Sequence, residues 1–202
     1  MEAVEKAKEY LKGTTTVGLT CKDGVVLVTD RRATMGSLIA HKEVDKIFRL
    51  DEHIGMTVAG AVSDAQTLAR WIQAEANLYR IRKGEEISVK GMATLIANVL
   101  HSQRYYPMLL QLIVGGYDKT GAKLYSVDLM GSAIEDTIIS TGSGSPVAYG
   151  VLEDSYKKNM PVSEGVHLAV RAVKAALGRD AMSGDGIAGV KITKDGFEKL
   201  DL

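Results

Sequence analysis

Three consecutive threonines, Thr14–Thr16, follow Gly13 in the stretch KGTTTVGL. A threonine hydroxyl is a weak nucleophile until a base takes its proton, and one base that needs no histidine is the residue's own α-amine. That amine, with an ordinary pKa of roughly 7.7–8.0, suits the task near neutral pH once everything before the threonine has been removed. A glycine just ahead fits the close backbone approach and unusual φ of such a cleavage point. The same triplet also fits the start of a strand, where β-branched residues are favoured. Taken alone, the triplet reads as the start of a strand.

Other groups invite the same weighing. TDRRAT (29–34) closes an apolar run with Asp30, Arg31 and Arg32 together, a set that a strand end ordinarily leaves solvated. Lys46 lies in the apolar context DKIFRL; if buried it requires a carboxylate, and Asp30 supplies one if the two strands pair. TGSGSP (141–146) joins a strand to a helix start, where glycine-rich turns expose N–H groups to anions. It has neither the lysine of a phosphate loop nor the spacing of a dinucleotide fingerprint, and reads as a tight turn, a loop lining a site, or a phosphate site. His41, His53, His101 and His167 fall in no zinc-type spacing and no GxSxG elbow occurs, so a metal centre and an α/β-hydrolase triad both lack an anchor. Cys21 is the sole cysteine, which excludes an intrachain disulfide, and it reads as a small buried hydrophobe.

The elements that must position these groups follow from periodicity. Residues 2–12 alternate acidic and basic side chains at helical spacing, and Gly13 stops that short helix. From Thr14 the period becomes two: Val17, Leu19 and Cys21 alternate with Thr16, Gly18 and Thr20, then Lys22-Asp23-Gly24 turns the chain into VVLVTD. Strands are expected at Lys46–Leu50, Ile54–Ala59, Leu109–Val114, Lys123–Val127, Ile134–Ser140, Gly186–Thr193 and Phe197–Leu202. A capping box, Ser63 with Gln66, opens a helix with Leu68, Trp71, Ile72 and Tyr79 on one face; Ser88 caps a second. Ser145-Pro146 reads as a cap followed by proline in the first turn, and a last helix runs from Ser163 to its stop at Gly178. The order is strands, two helices, strands, two helices, strands. Strict βαβ alternation is missing, so stacked antiparallel sheets with helices outside suit it better than a parallel sheet.

Length and composition set outer bounds. The 202 residues form one domain with no linker or repeat, and 46% apolar with 25% charged residues is ordinary for a globular protein. Zero formal net charge gives no reason to invoke nucleic acid or an anionic membrane. No apolar run approaches the roughly 18 residues of a membrane span. The charged N-terminus is not a secretory signal, so a cytoplasmic location is expected.

Five segments in order, GTTTVGL (13–19), TDRRAT (29–34), GMTVAG (55–60), STGSGSP (140–146) and RDAMSGDG (179–186), resemble the β-subunit family of the archaeal 20S proteasome across essentially the whole chain. The resemblance implies an α+β fold of the N-terminal-nucleophile hydrolases: a four-layer αββα sandwich of two antiparallel sheets flanked by helices. Residues 1–13 are then a propeptide removed autocatalytically at Gly13–Thr14, and 14–202 the single mature domain. Thr14 matches the nucleophile of a threonine endopeptidase, Asp30 and Lys46 its acid and lysine, and Ser143, Asp180 and Ser183 the groups that hold the new N-terminus. The Gly60 N–H matches the oxyanion donor. Ala33, Val44, Phe48, Val58 and Val62 match the specificity pocket, and their apolar character implies cleavage after hydrophobic residues. No cofactor or metal is implied. Implied partners are seven-membered β rings stacked on α rings, a regulatory ATPase acting through the α rings, and unfolded protein substrates. Two alternatives are an inactive structural ring subunit, which typically lacks the threonine, lysine or acid kept here, and the bacterial two-component threonine peptidase with six-membered rings.

Overall fold

A computed structural model describes residues 13–202, so the helix expected over 2–12 lies outside the described residues. β1 (Thr16–Thr20) and β2 (Gly24–Asp30) form the hairpin that the alternation predicts. A small hairpin of β3 (Ala33–Met35) and β4 (Leu38–His41) stands apart as its own two-stranded sheet. β5 (Ile47–Asp51) and β6 (Ile54–Gly60) follow, then helices α1 (Val62–Lys83) and α2 (Val89–Ser102). The chain returns as β7 (Leu110–Asp118), β8 (Gly121–Val127), β9 (Ala133–Glu135) and β10 (Ile138–Thr141). Helices α3 (Ser145–Ser155) and α4 (Val162–Leu177) and strands β11 (Ile187–Thr193) and β12 (Gly196–Lys199) complete it.

One antiparallel sheet has the order β10-β1-β2-β11-β12 and the other β5-β6-β7-β8-β9. The two stack face to face, α3 and α4 covering the first and α1 and α2 the second. This is the four-layer α+β sandwich that the resemblance implies. Three apolar layers result. Val26 and Val28 of β2 face α3 and α4, while Val25 and Leu27 face the other sheet and meet Ile113 and Leu124. Both faces of β2 are buried, which is why VVLV is apolar without interruption. Between the sheets, Gly18, Gly55 and Gly115 keep the layers close. A Cβ at Gly18 would lie 2.9 Å from Ile113 and Leu124, and one at Gly115 would lie 2.7 Å from Val25.

Several local details differ from the sequence reading. The Ser63–Gln66 capping box does not form: α1 starts earlier, with Ala61 at its N-cap and no side-chain cap bond. Its first turn is anchored instead to the residue just before β7, where Leu109 N–H donates to Asp64 Oδ2 at 3.0 Å. Trp71, expected on the inner face, is 40% exposed, whereas Leu68 and Ile72 are buried. Residues 134–140 are not one strand. Asp136 and Thr137 break it, sending β9 to one sheet and β10 to the other. Gly144, rather than Ser145, caps α3; the Ser145 hydroxyl donates to the Gly142 carbonyl at 2.8 Å. Ser88 does cap α2, accepting from Gly91 N–H at 3.0 Å, a bond of about 1 kcal/mol.

Candidate active site

Thr14 sits two residues before the start of β1 and is buried. Register brings the end of β2 beside it: Thr16 pairs with Thr29, so Asp30 N–H donates to the Thr15 carbonyl at 3.2 Å. Asp30 is 0% exposed. Its Oδ1 accepts the Thr15 N–H at 3.0 Å and Lys46 Nζ at 2.7 Å, and its Oδ2 accepts the N–H groups of Arg32 at 3.2 Å and Gly184 at 3.0 Å. Four donors on one carboxylate satisfy a charge that would otherwise be costly to bury.

Lys46 lies just ahead of β5, in the opposite sheet, and is 6% exposed. The Asp30–Lys46 ion pair therefore crosses from one layer to the other, rather than joining paired strands. Burial pulls the Lys46 ammonium below the ordinary lysine range, and the Asp30 carboxylate opposes that shift. Gly60 ends β6 in the same sheet as Lys46, with φ +133 and no room for a side chain, since a Cβ would overlap the Leu109 carbonyl.

The third group comes from loops. Ser143, in the turn before α3, accepts the Gly13 N–H at 3.1 Å and donates to Asp180 Oδ2 at 2.6 Å. Ser183 donates to the same oxygen at 2.6 Å. Asp180 is fixed at the end of α4, its N–H donating to the Ala176 carbonyl at 2.7 Å. The residues singled out from the sequence as Asp30, Lys46, Ser143, Asp180 and Ser183 thus gather around the Gly13–Thr15 segment, although 165 residues lie between Thr14 and Asp180. Gly13 adopts φ +118, and a Cβ on it would overlap Thr34 Oγ1. The Thr14 hydroxyl donates to the Gly13 carbonyl oxygen at 2.7 Å.

The five pocket residues are spread more widely. Phe48 and Val58 belong to the core between the second sheet and its helices. Ala33 begins β3, and Val44 is tied by its N–H to the Arg31 carbonyl at 3.0 Å. Val62, at the start of α1, is 40% exposed. A cavity of about 670 Å³ opens elsewhere, at the far end of the second sheet, lined by Asp51, His53, Tyr79, Tyr117 and Lys194 among others.

Sequence reasoning missed two groups here. Arg32 Nε donates to Asp185 Oδ2 at 2.7 Å, and that guanidinium holds the Asp185 carboxyl below its usual range while tying the loop after α4 to the end of β2. Thr15 is fully buried and bonded on both its N–H and its hydroxyl. A contiguous TTT offers no hint of this, because strand propensity alone explains it.

A buried threonine hydroxyl, a carboxylate–lysine pair and a hydroxyl–carboxylate cluster thus lie at one end of a double-sheet sandwich. The profile of the family described as "Proteasome subunit" matches residues 10–192. Proteins named proteasome subunit beta are similar along nearly the full length. That of Methanothermobacter thermautotrophicus is 57% identical over 194 residues, covering 96% of this chain and 92% of the relative. Those of Ferroglobus placidus and Archaeoglobus profundus are 59% and 58% identical, covering 95% and 94% of this chain and 92% and 88% of the relatives. The chain belongs to the proteasome subunit family. It is of the catalytic β type, a threonine-type endopeptidase, and membership implies assembly into the core particle with α rings. No helix among the described residues is long and apolar enough to cross a membrane.

Proposed function

We propose that Thr14 is the nucleophile of this endopeptidase and that it becomes so by cutting its own chain after Gly13. The observation that carries this reading is the 2.7 Å contact between the Thr14 hydroxyl and the Gly13 carbonyl oxygen, inside a site that already holds the Asp30–Lys46 pair. Thr14 Oγ1 and the Gly13 carbonyl carbon are the ends of a five-atom path, so bond formation closes a five-membered ring without moving the backbone far. Oγ1 adds to the carbonyl carbon, the C–N bond breaks, and the hydroxyl proton passes to the Thr14 nitrogen. Water then hydrolyses the resulting ester, leaving residues 1–13 with a carboxylate and Thr14 with a free amine. A lysine whose ammonium is weakened by burial gives and takes protons more readily than an exposed one, which suits Lys46 to this transfer.

The same parts serve a peptide substrate in the mature chain. The Thr14 amine accepts the hydroxyl proton, and the nearby Lys46 charge disfavours a second cation and keeps that amine neutral. Gly60 N–H supports the tetrahedral oxyanion. Ser143, Asp180 and Ser183 hold the new N-terminus where Gly13 N–H lies in the unprocessed chain. Ala33, Val44, Phe48, Val58 and Val62 favour an apolar residue before the cut. The working assembly is a cytoplasmic particle of seven-membered β rings stacked on α rings, fed with unfolded proteins by a regulatory ATPase. In core particles assembled with α subunits, Thr14→Ala is expected to abolish peptide hydrolysis and leave a subunit with the full precursor mass. Self-cleavage retained in that variant would remove Thr14 from the scheme.

A further inference from the structure

Thr15, the middle threonine of the triplet, bonds to two side-chain clusters at once. Its N–H donates to Asp30 Oδ1 at 3.0 Å, and its hydroxyl lies 2.8 Å from Ser183 Oγ. Ser183 has a single hydroxyl proton, and that proton is directed to Asp180 Oδ2 at 2.6 Å. In the Thr15–Ser183 bond the donor is therefore Thr15. On the other side Gly13 N–H donates to Ser143 Oγ at 3.1 Å, and Ser143 donates to the same Asp180 oxygen at 2.6 Å. Two chains of donors converge on one carboxylate oxygen, one starting a residue before Thr14 and one starting a residue after it. The other oxygen, Oδ1, accepts the Met182 N–H at 3.2 Å, which fixes the rotation of the carboxylate.

We propose that Thr15 is a positioning residue for the Thr14 chemistry, an inference that rests on Thr14 being the nucleophile. Its hydroxyl acts through Ser183 and Asp180, and its N–H holds the same residue to the Asp30–Lys46 pair. Thr14 is thereby clamped between two anchored neighbours. Thr15 is 0% exposed and meets no substrate, so its hydroxyl acts on turnover and not on substrate affinity. A methyl in its place is not a neutral swap, because Gly144 packs so tightly on the hydroxyl that even a Cβ at 144 would overlap it. Alanine removes the donor without crowding, and serine keeps it.

The test is steady-state hydrolysis of a short peptide by assembled core particles, with kcat expressed per processed subunit as counted by intact mass. Thr15→Ala is expected to lower kcat about five- to tenfold at unchanged KM, the effect of one lost buried hydrogen bond. Thr15→Ser restores kcat to within about twofold of the parent. Thr15→Ala combined with Ser183→Ala turns over no more slowly than Ser183→Ala alone, because the donor then has nothing to act through. Parental kcat in Thr15→Ala, a loss that serine does not restore, or additive losses in the double variant would each overturn the proposal. Thr14→Ala particles are measured alongside: hydrolysis by these would topple the nucleophile reading itself, whereas their inactivity leaves the Thr15 series to decide this proposal separately.

Discussion

Replacing Asp30 by asparagine changes almost no volume and tests whether the buried ion pair is an electrostatic unit. All four groups facing the carboxylate are donors: Lys46 Nζ and Thr15 N–H on Oδ1, Arg32 and Gly184 N–H on Oδ2. Whichever way the amide is turned, its NH₂ opposes two of them. The substitution also leaves Lys46 without its anion at a position only 6% exposed. Breaking a buried pair from one side costs about 3–5 kcal/mol, and weakened charge-assisted bonds lie within that figure rather than beyond it. With a urea dependence of about 3 kcal/mol per molar, the unfolding midpoint of the precursor falls by about 1–2 M. Trp71, the sole tryptophan and 40% exposed at the α1 surface, reports the transition by fluorescence. Adding Lys46→Met removes the stranded ammonium and is expected to recover at least about 2 kcal/mol, while peptide hydrolysis stays absent. An unshifted midpoint for Asp30→Asn, or a double variant as unstable as the sum of the singles, would refute the electrostatic reasoning.

Two further outcomes follow from local geometry. Gly13→Ala is expected to block propeptide removal, because φ +118 and the overlap with Thr34 Oγ1 both exclude a Cβ; intact mass spectrometry would show the full precursor, and normal processing would count against the described approach. Cys21 is buried and its thiol is pushed up to about 12, chiefly by burial, so it should resist alkylation at pH 8 in the folded chain and react fully in urea. Rapid native labelling would place it in a more open setting than the sheet–helix core.

Much of the scaffold is legible in the chain because it is locally consistent. The two-residue alternation of Val17, Leu19 and Cys21 and the Ser88 cap report their own surroundings, and the structure places them accordingly. The β3–β4 hairpin is not legible. Met35, Leu38 and Ile39 are all exposed, so no buried face imposes a pattern on them. The break at Asp136 and Thr137 is hidden as well, since apolar residues on both sides suit either sheet. For the candidate site, family resemblance singles out Thr14, Asp30, Lys46, Ser143, Asp180 and Ser183, but their meeting depends on long-range contacts that no short window records. Asp30 with Lys46 shows the limit most clearly. Strand-pair logic offered them as neighbours in one sheet, whereas sandwich stacking brings them together from two. Thr15 is illegible for the opposite reason, because strand propensity explains it locally and conceals its bonds to Asp30 and Ser183.

The placement of Thr14 and Asp30 on one sheet, and of Lys46 and Gly60 on the other, has a consequence for how the site is gauged. Its opening is the gap between the jaws of a vice, and the spacer that sets the gap lies deep in the interior, at Gly18, Gly55 and Gly115. A methyl group added to that spacer would be read out at the mouth, as a lysine drawn away from its carboxylate, without any residue of the mouth having changed. Tolerance for substitution is thus narrow at three featureless positions between the sheets, where the sandwich keeps its calibration.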